Sequence, residues 1–544
     1  MEGRAPSGAN QFREVPPKML KPLVVCMLLI LALGRLNAAP LAVRVWQFQD
    51  YDMDHIRRLI GLAAAAKVNR IQLSHEIVMD VEEPLGKPQL AKDINTICGW
   101  AHAEGIKVDM WTHELNAVPK DLLKDGKADL DDPRLWEFVK DKYDRLFRLC
   151  PDLDGLVLTM QETAMSIYHE RSVSSSIPPE RRVAKLVDDM ASVCASFGKK
   201  LFVRTFSYEP GELRYIQEGL KLCKGDITVM TKCVPHDWQP YYPFNPAIGD
   251  VGGKPQIVEF DLGHEFTGLS TIPYINIGYL KKHLDYDLSK GVVGAVVRVE
   301  RLKWRCVDTP NQANIDVFTQ MLLDPAADPH KLYRKWLADR YGAGAVDHLY
   351  AAFIKTFDIV NKGLFVLGFW VSRHSTLPDY GYATASLRRR STAKWDPSVK
   401  DVEQALLSPT PETVAKIRAE KQEALVLADQ AIEDIERARP ALRPEDYARL
   451  SDLFRREKAM VVVWQAAMDV IFGISIYNST RAESDRKFLA EAADRLESVT
   501  RKNRTHLINM AADRANPRRK DNLDAAAGLV ELAISTFQPD KAGQ

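Results

Sequence analysis

Carboxylate side chains recur in this sequence just beyond short runs rich in Val, Ile, Leu and Phe. Glu162 follows Gly155–Met160, Asp237 lies beyond Ile227–Lys232, and Glu265 follows Gln256–Leu262. Two carboxyl groups facing each other across one opening can cleave a glycosidic bond. One, protonated, gives its proton to the leaving oxygen; the other, ionised, activates water or attacks the sugar. Other groups at run ends suit substrate binding: His75 and Glu76, His113 and Glu114, Arg204, Lys232, Trp238, His264 and Arg298. Arginine grips an anionic group with two parallel hydrogen bonds, and lysine as a point charge. Trp111, Trp238, Tyr241 and Tyr242 offer flat apolar faces for sugar rings. Any single acid among these can also serve packing, by capping a helix or pairing with a neighbouring arginine. His75, His113, His236 and His264 each precede an acid. They open a rival chemistry, in which a divalent metal activates water for hydrolysis, elimination or isomerisation. Neither HxH nor HExxH occurs, so side-by-side ligand spacing is missing and no metal or cofactor is expected. A sugar-binding barrel without turnover is a third reading.

The elements that must position these residues alternate. The β runs are Leu41–Phe48, Arg70–Ser74, Lys107–Thr112, Gly155–Met160, Lys200–Phe206, Ile227–Lys232, Gln256–Leu262 and Gly294–Val299. Between most of them lie segments with apolar residues three and four apart, such as Asp54–Ala66, Leu90–Ala103, Pro133–Leu149 and Arg181–Phe197. Eight strands alternating with helices predict a closed (β/α)8 TIM barrel, whose reactive face is the carboxyl end of its strands. The Pro-, Tyr- and Gly-rich stretch 233–254 reads as a long functional loop. No GxGxxG or GxxxxGK[ST] follows the first run, which argues against a nucleotide-binding sheet.

Past Pro325 the β signal fades. Helices are expected within 328–372, from Thr410-Pro411 to about Ala438, and over 444–477, 481–513 and 521–536. The chain of 544 residues exceeds one average domain. It divides into 1–38, a catalytic barrel over 39–325, and an α-helical C-terminal domain over 326–544. Gly368–Trp370 and Arg373-His374 can reach the barrel mouth from that domain. Val461–Trp464 and Val470–Phe472 read as bundle core, because Gln465 and Asp469 interrupt them.

Lys21, the apolar run Leu23–Leu33 and Leu36-Asn37-Ala38 have the order of an export signal cleaved after Ala38. The expectation is an exported protein, periplasmic or extracellular, with no membrane partner after cleavage. Basic and acidic residues balance at 74 and 73, so nucleic acid is not expected as a partner. Arg388–Arg390 reads as a solvated or salt-bridged loop. Of the seven cysteines, six lie beyond the signal and show no CxxC spacing; buried thiols are expected.

Four segments carry a resemblance: Val203–Tyr208, Val229–Lys232, Pro235–Trp238 and Val258–Gly268. Together they resemble the barrel of the alpha-glucuronidases of glycoside hydrolase family 67. Those are inverting enzymes that release glucuronic or 4-O-methylglucuronic acid from xylan fragments. The resemblance covers about residues 200–270. It implies Glu162 as general acid, Asp237 and Glu265 as the base pair, and Arg204 and Lys232 as substrate-binding groups. Leu158 stands where the family places a lysine beside the sugar carboxylate, so sugar and linkage stay open.

Overall fold

The computed structural model describes residues 39–509 and 521–537. The expected signal and its cleavage point, and the end of the helix expected over 481–513, lie outside the described residues.

Eight parallel strands close into a barrel: β1 Val43–Phe48, β2 Arg70–Leu73, β3 Lys107–His113, β4 Gly155–Thr159, β5 Lys200–Arg204, β6 Thr228–Lys232, β7 Gln256–Asp261 and β8 Gly294–Arg298. Each pairs with its sequence neighbours, and β1 closes on β8 with Val43 opposite Gly294. Helices follow the strands: α1 Met53–Ala65, α2 Pro88–Ala103, α3 Pro133–Leu149, α4 Pro179–Ser196, α5 Pro210–Leu222, α6 Ile277–Ser289 and α7 Gln312–Leu323. The β6–β7 connection is the loop read from its composition and contains no helix. Local chemistry sets the helix starts. The Asp52 side chain accepts from the backbone of Asp54 and His55, and Asp132 caps α3 ahead of a proline at the first helical position.

Among the described residues three small sheets have no signal in the sequence, one of them the antiparallel pair Glu300–Arg301 and Trp304–Arg305 just past β8. Leu123–Lys124, Lys127–Asp129 and Val173–Ser174 form another, over the β3 and β4 ends of the barrel. Phe365–Val366 pairs with Phe369–Trp370 around Leu367 and Gly368, both at positive φ (49° and 85°). Two-residue strands carry too little alternation to show a period.

After the barrel the chain is helical: α8 Pro329–Tyr341, α9 Val346–Leu364, α10 Tyr380–Arg389, α11 Pro411–Ala438, α12 Pro444–Thr480, α13 Glu483–Lys502 and α14 Asn522–Ser535. Thr410 caps α11 as the sequence led us to expect. The apolar stretch of α12 is long enough to span a bilayer, but 89% of that window is buried against the bundle. Cys98, Cys150, Cys194, Cys223, Cys233 and Cys306 are buried free thiols.

Candidate active site

Strand alternation builds the floor of the barrel mouth. Val45, Trp111, Val157, Phe202, Met230, Ile257 and Val296 meet inside the barrel as an apolar layer. Two residues further along each strand, the same face reappears one layer higher. There it presents Gln47, His113, Thr159, Arg204, Lys232, Glu259 and Arg298, all buried. Gln72 joins them from β2. The sequence thus switches from apolar to polar side chains as each strand nears its carboxyl end.

Arg204 lies in this floor. Its Nε donates to Glu259 Oε2 at 2.8 Å, and its guanidinium packs on the rings of Trp111 and Phe206, 4.5 and 5.0 Å from their centroids. The Lys232 ammonium sits 3.5 Å from the Phe206 centroid and 4.6 Å from that of Trp238. Burial pushes the Lys232 pKa below its ordinary value, with Asp237 opposing and Arg204 adding to the effect. Several buried polar atoms here have no partner among the described residues, including Gln47 Nε2, Gln72 Nε2, His113 Nε2, Thr159 Oγ1, Ser207 Oγ and Arg298 Nε. Both glutamines use their oxygens as acceptors, from Gln49 and Trp111, and keep their amide N–H groups.

The three acids differ in environment. Asp237 accepts from Lys232 Nζ at 3.2 Å on Oδ1 and from Arg390 Nη1 at 2.8 Å on Oδ2. Burial alone would raise its carboxyl, but Lys232, Arg390 and His236 together hold it well below the usual carboxylate range. Glu265 accepts from Arg298 Nη2 at 3.2 Å on Oε2, while Arg301 Nη2 at 3.1 Å and His374 Nδ1 at 2.8 Å meet Oε1. Burial is again outweighed, by Arg301, His374 and Arg298, and the carboxyl is held well below its ordinary value. Glu162 is solvent-exposed, and its hydrogen-bond partner is the Tyr208 hydroxyl, which donates to Oε1 at 3.2 Å. Burial and the nearby charges of Glu162 and Asp237 raise the Tyr208 phenol far above its ordinary pKa, so it stays a donor. The Tyr208 ring packs on His236, 5.3 Å between centroids, and so spans the gap from Glu162 to the Asp237 segment. Burial lowers the His236 pKa to about 4; the Asp237 N–H donates to its Nδ1 at 2.6 Å.

Other expected residues have settled partners. The Glu114 carboxylate accepts from Lys142 at 2.7 Å and from the Tyr143 hydroxyl at 2.5 Å, both on α3, so it ties the β3 end to that helix. His113 Nδ1 donates to the Met79 carbonyl at 2.9 Å. Asn314 of α7 donates to His264 Nε2 at 3.2 Å, and burial lowers the His264 pKa to about 3. His75 Nδ1 is hydrogen-bonded to the Ser74 hydroxyl at 2.9 Å, and its ring lies 5.5 Å from that of Trp111. Glu76 follows it, half-buried, its backbone N–H bonded to the Gln49 carbonyl. Trp238 is buried between two cations, Lys232 and Arg298, the latter 5.3 Å from its centroid. The four histidines thus point to different partners. Among the described residues no group of three or more His, Cys, Asp or Glu side chains is placed to hold a metal ion.

Strand ends carry backbone strain. His75, Leu115, Glu162 and His264 all have positive φ, between 56° and 66°. L-residues avoid this region, and such outliers cluster at functional sites. Gly263 matters for space rather than conformation, since a Cβ there would lie 2.5 Å from the Glu300 carbonyl. Its bareness lets the strand beyond β8 approach and deliver Arg301 to Glu265.

Arg301, Arg390 and Tyr208 complete the site beyond the residues singled out from sequence, together with His374, which the sequence named as able to reach the mouth but without a partner. Tyr208 was legible as part of the β5 exit. Arg390 and His374 lie 153 and 109 positions from their carboxylate partners, and at that range spacing does not show which carboxylate each one meets.

No protein-family model matches the chain, and no curated protein matches it. Solved structures do. A GH138 enzyme targeting pectin rhamnogalacturonan II superposes with a TM-score of 0.62 at 11% identity, over 92% of this chain and 67% of that one. A GH115 4-O-methyl-alpha-glucuronidase with specificity for decorated arabinogalactans gives a TM-score of 0.49 at 12% identity, over 87% and 60%. An O-GlcNAc hydrolase from Thermobaculum terrenum gives 0.46 at 10% identity, over 91% and 94%. The GH138 enzyme shares this chain's fold.

Proposed function

We propose that the chain is an exported glycoside hydrolase that cleaves a polysaccharide-derived oligosaccharide with inversion. The observation that carries the reading is the contrast among three carboxyls at one mouth. Half-buried Asp237 and buried Glu265 are held ionised by cations, whereas the partner of exposed Glu162 is a phenol. A general acid must carry a proton, and Glu162 is the carboxyl with no cation bonded to it among the described residues. In the step we propose, water attacks the anomeric carbon as the bond to the leaving oxygen breaks. Glu162 protonates that oxygen, and the proton lost by water passes to Asp237 or Glu265.

Supporting this, the partnerless polar atoms of the floor match the mixed donors and acceptors of sugar hydroxyls. The resemblance to family 67 and the shared fold with a pectin-directed GH138 enzyme point to the same substrate class. The test is turnover on a panel of uronic-acid and neutral oligosaccharides, with the product anomer followed by NMR. Glu162→Gln is expected to bind the substrate and to lose at least about a hundredfold in kcat. Undiminished turnover in that variant removes Glu162 from the reaction, and retained anomeric configuration overturns inversion.

A further inference from the structure

We infer that the helical region completes the reaction centre, with His374 and Arg390 acting as positioning residues for Glu265 and Asp237. The inference rests on the hydrolase reading above.

The geometry is two-sided. On Asp237, Oδ1 faces Lys232 of β6 and Oδ2 faces Arg390, just beyond α10. On Glu265, Oε2 faces Arg298 of β8, while Oε1 faces His374 together with Arg301. Asp237 is thus gripped on one oxygen by the barrel and on the other by the helical region, and the helical region adds His374 to the two barrel arginines on Glu265. A carboxylate oxygen has two lone pairs, so a singly bonded one still accepts a water proton.

The supports behind both groups are rigid. Arg373 and Thr376 exchange backbone hydrogen bonds of 2.9 and 2.8 Å around His374 and Ser375, which both adopt positive φ (44° and 65°). Two successive strained residues persist only where surroundings over-determine them. Ser375 Oγ accepts the Gly268 N–H at 2.8 Å and donates to the Glu265 carbonyl at 3.0 Å. The His374 ring stacks on Phe266, 5.5 Å apart and inclined by 26°. Behind the turn, Trp464 of α12 donates to Ser372 Oγ at 2.8 Å, and the Asn522 side chain accepts the Leu377 N–H at 2.8 Å. A continuous set of bonds therefore runs from α12 and α14 to the Glu265 loop. Arg390 is held likewise: its carbonyl accepts from Tyr242 at 2.9 Å, Thr392 Oγ1 donates to Gly368 O at 2.9 Å, and Lys394 pairs with Glu209.

Charge at the two carboxylates comes from every wall. Lys232, His236, Arg390, Tyr208, Tyr242 and Glu265 face Asp237. Arg298, Arg301, His374, Arg390, Asp261 and His75 face Glu265. Removing the contribution of the helical region leaves Asp237 with Lys232 on one oxygen and free to turn, and leaves Glu265 with its two arginines but without the His374 donor on Oε1.

The experiment uses the full chain with Arg390→Met, Arg390→Lys and His374→Gln. Arg390→Met is expected to lower kcat on the order of tenfold to a hundredfold with little change in KM. The acid limb of its kcat/KM profile should move up by about one pH unit or more; Arg390→Lys should restore the limb. His374→Gln, which keeps a donor for Glu265 Oε1, should retain more activity than His374→Ala. Wild-type turnover with an unmoved limb and unchanged kcat in Arg390→Met and His374→Ala overturns the inference. A second readout needs no turnover: the carboxyl 13C titration of Asp237, assigned with Asp237→Asn. If that midpoint rises in Arg390→Met while no oligosaccharide is cleaved, the clamp stands and the hydrolase reading falls. If the midpoint stays and wild-type cleavage proceeds, the reverse holds. Should Arg390→Met fail to fold, the Lys variant carries the limb comparison, and loss of both its limb and its midpoint from wild-type values counts against the clamp.

Discussion

Glu162, Asp237 and Glu265 are the same functional group in three settings, and the settings decide what each can do. Cations hold two of the carboxyls well below their ordinary pKa. A group with a depressed folded pKa is ionised above that value and is lost as base only when pH falls through it. The acid limb of kcat/KM is therefore expected below about pH 4, under the ordinary carboxylate range. A pH–rate profile in which activity disappears already near neutrality would contradict the clamped pair. Glu114 is the opposite case. It belongs to the same kind of strand end, yet its carboxylate is buried with Lys142 and Tyr143. Glu114→Ala leaves a buried ammonium with one remaining partner, Glu82, and is expected to cost on the order of 3–5 kcal/mol of stability. Urea denaturation measures that loss; the folded fraction should keep a wild-type KM.

The elements were largely legible because each has a local cause. All eight strands fall within two residues of where β-rich runs placed them, and α3 and α11 begin where an Asp or Thr cap precedes a proline. Reading the strand ends found Arg204, Lys232, His113 and Arg298 but passed over Gln47, Gln72, Thr159 and Glu259, which alternation brings to the same layer. What stayed hidden was closure between distant parts of the chain. Arg388–Arg390 read as a solvated or salt-bridged loop; Arg390 is salt-bridged, and its partner, Asp237, is 153 positions away. The positive φ values of His75, Glu162 and His264 left no mark either, because nothing about His or Glu announces a left-handed backbone. Gly263 shows how an element-level detail reaches the chemistry. Gly263→Ala drives a methyl group against the Glu300 carbonyl and the Arg301 nitrogen, which lie 2.5 and 2.9 Å from that position. The loop bearing Arg301 must then retreat from Glu265. The expected outcome is a cost of about 1–3 kcal/mol and a raised acid limb in the pH–rate profile. An alanine variant with wild-type profile and stability would show that this approach is unimportant.

At the scale of the whole molecule, two sets of acids make stability answer pH in opposite senses. The clamped pair contributes stability that is present above the ordinary carboxylate range and is lost as pH falls through its depressed values. Other buried acids are raised instead. Burial pushes Asp109 and Asp261 up to about 6, and pushes Asp287 and Glu457 well above their ordinary values. Glu457, in the middle of α12, is fully buried, and neither carboxylate oxygen has a hydrogen-bond partner among the described residues. Such a group keeps its proton in the folded state and releases it on unfolding once pH passes the ordinary carboxyl value of about 4.3. Its contribution is intact below that value and declines as pH climbs toward the folded pKa. Above neutrality, where the clamped pair is already fully ionised in both states, the raised acids set the slope. Glu457→Gln places a neutral isostere in the same space and removes one of them. The variant should melt close to wild type at pH 4 and at least about 2 °C higher at pH 8. Its melting temperature should fall less steeply between those values. Calorimetry across pH 4–8 decides the matter: parallel curves for the two proteins would mean that Glu457 does not change its protonation on unfolding. Because α12 also anchors the turn that holds His374, the same variant should keep its kcat while its stability changes.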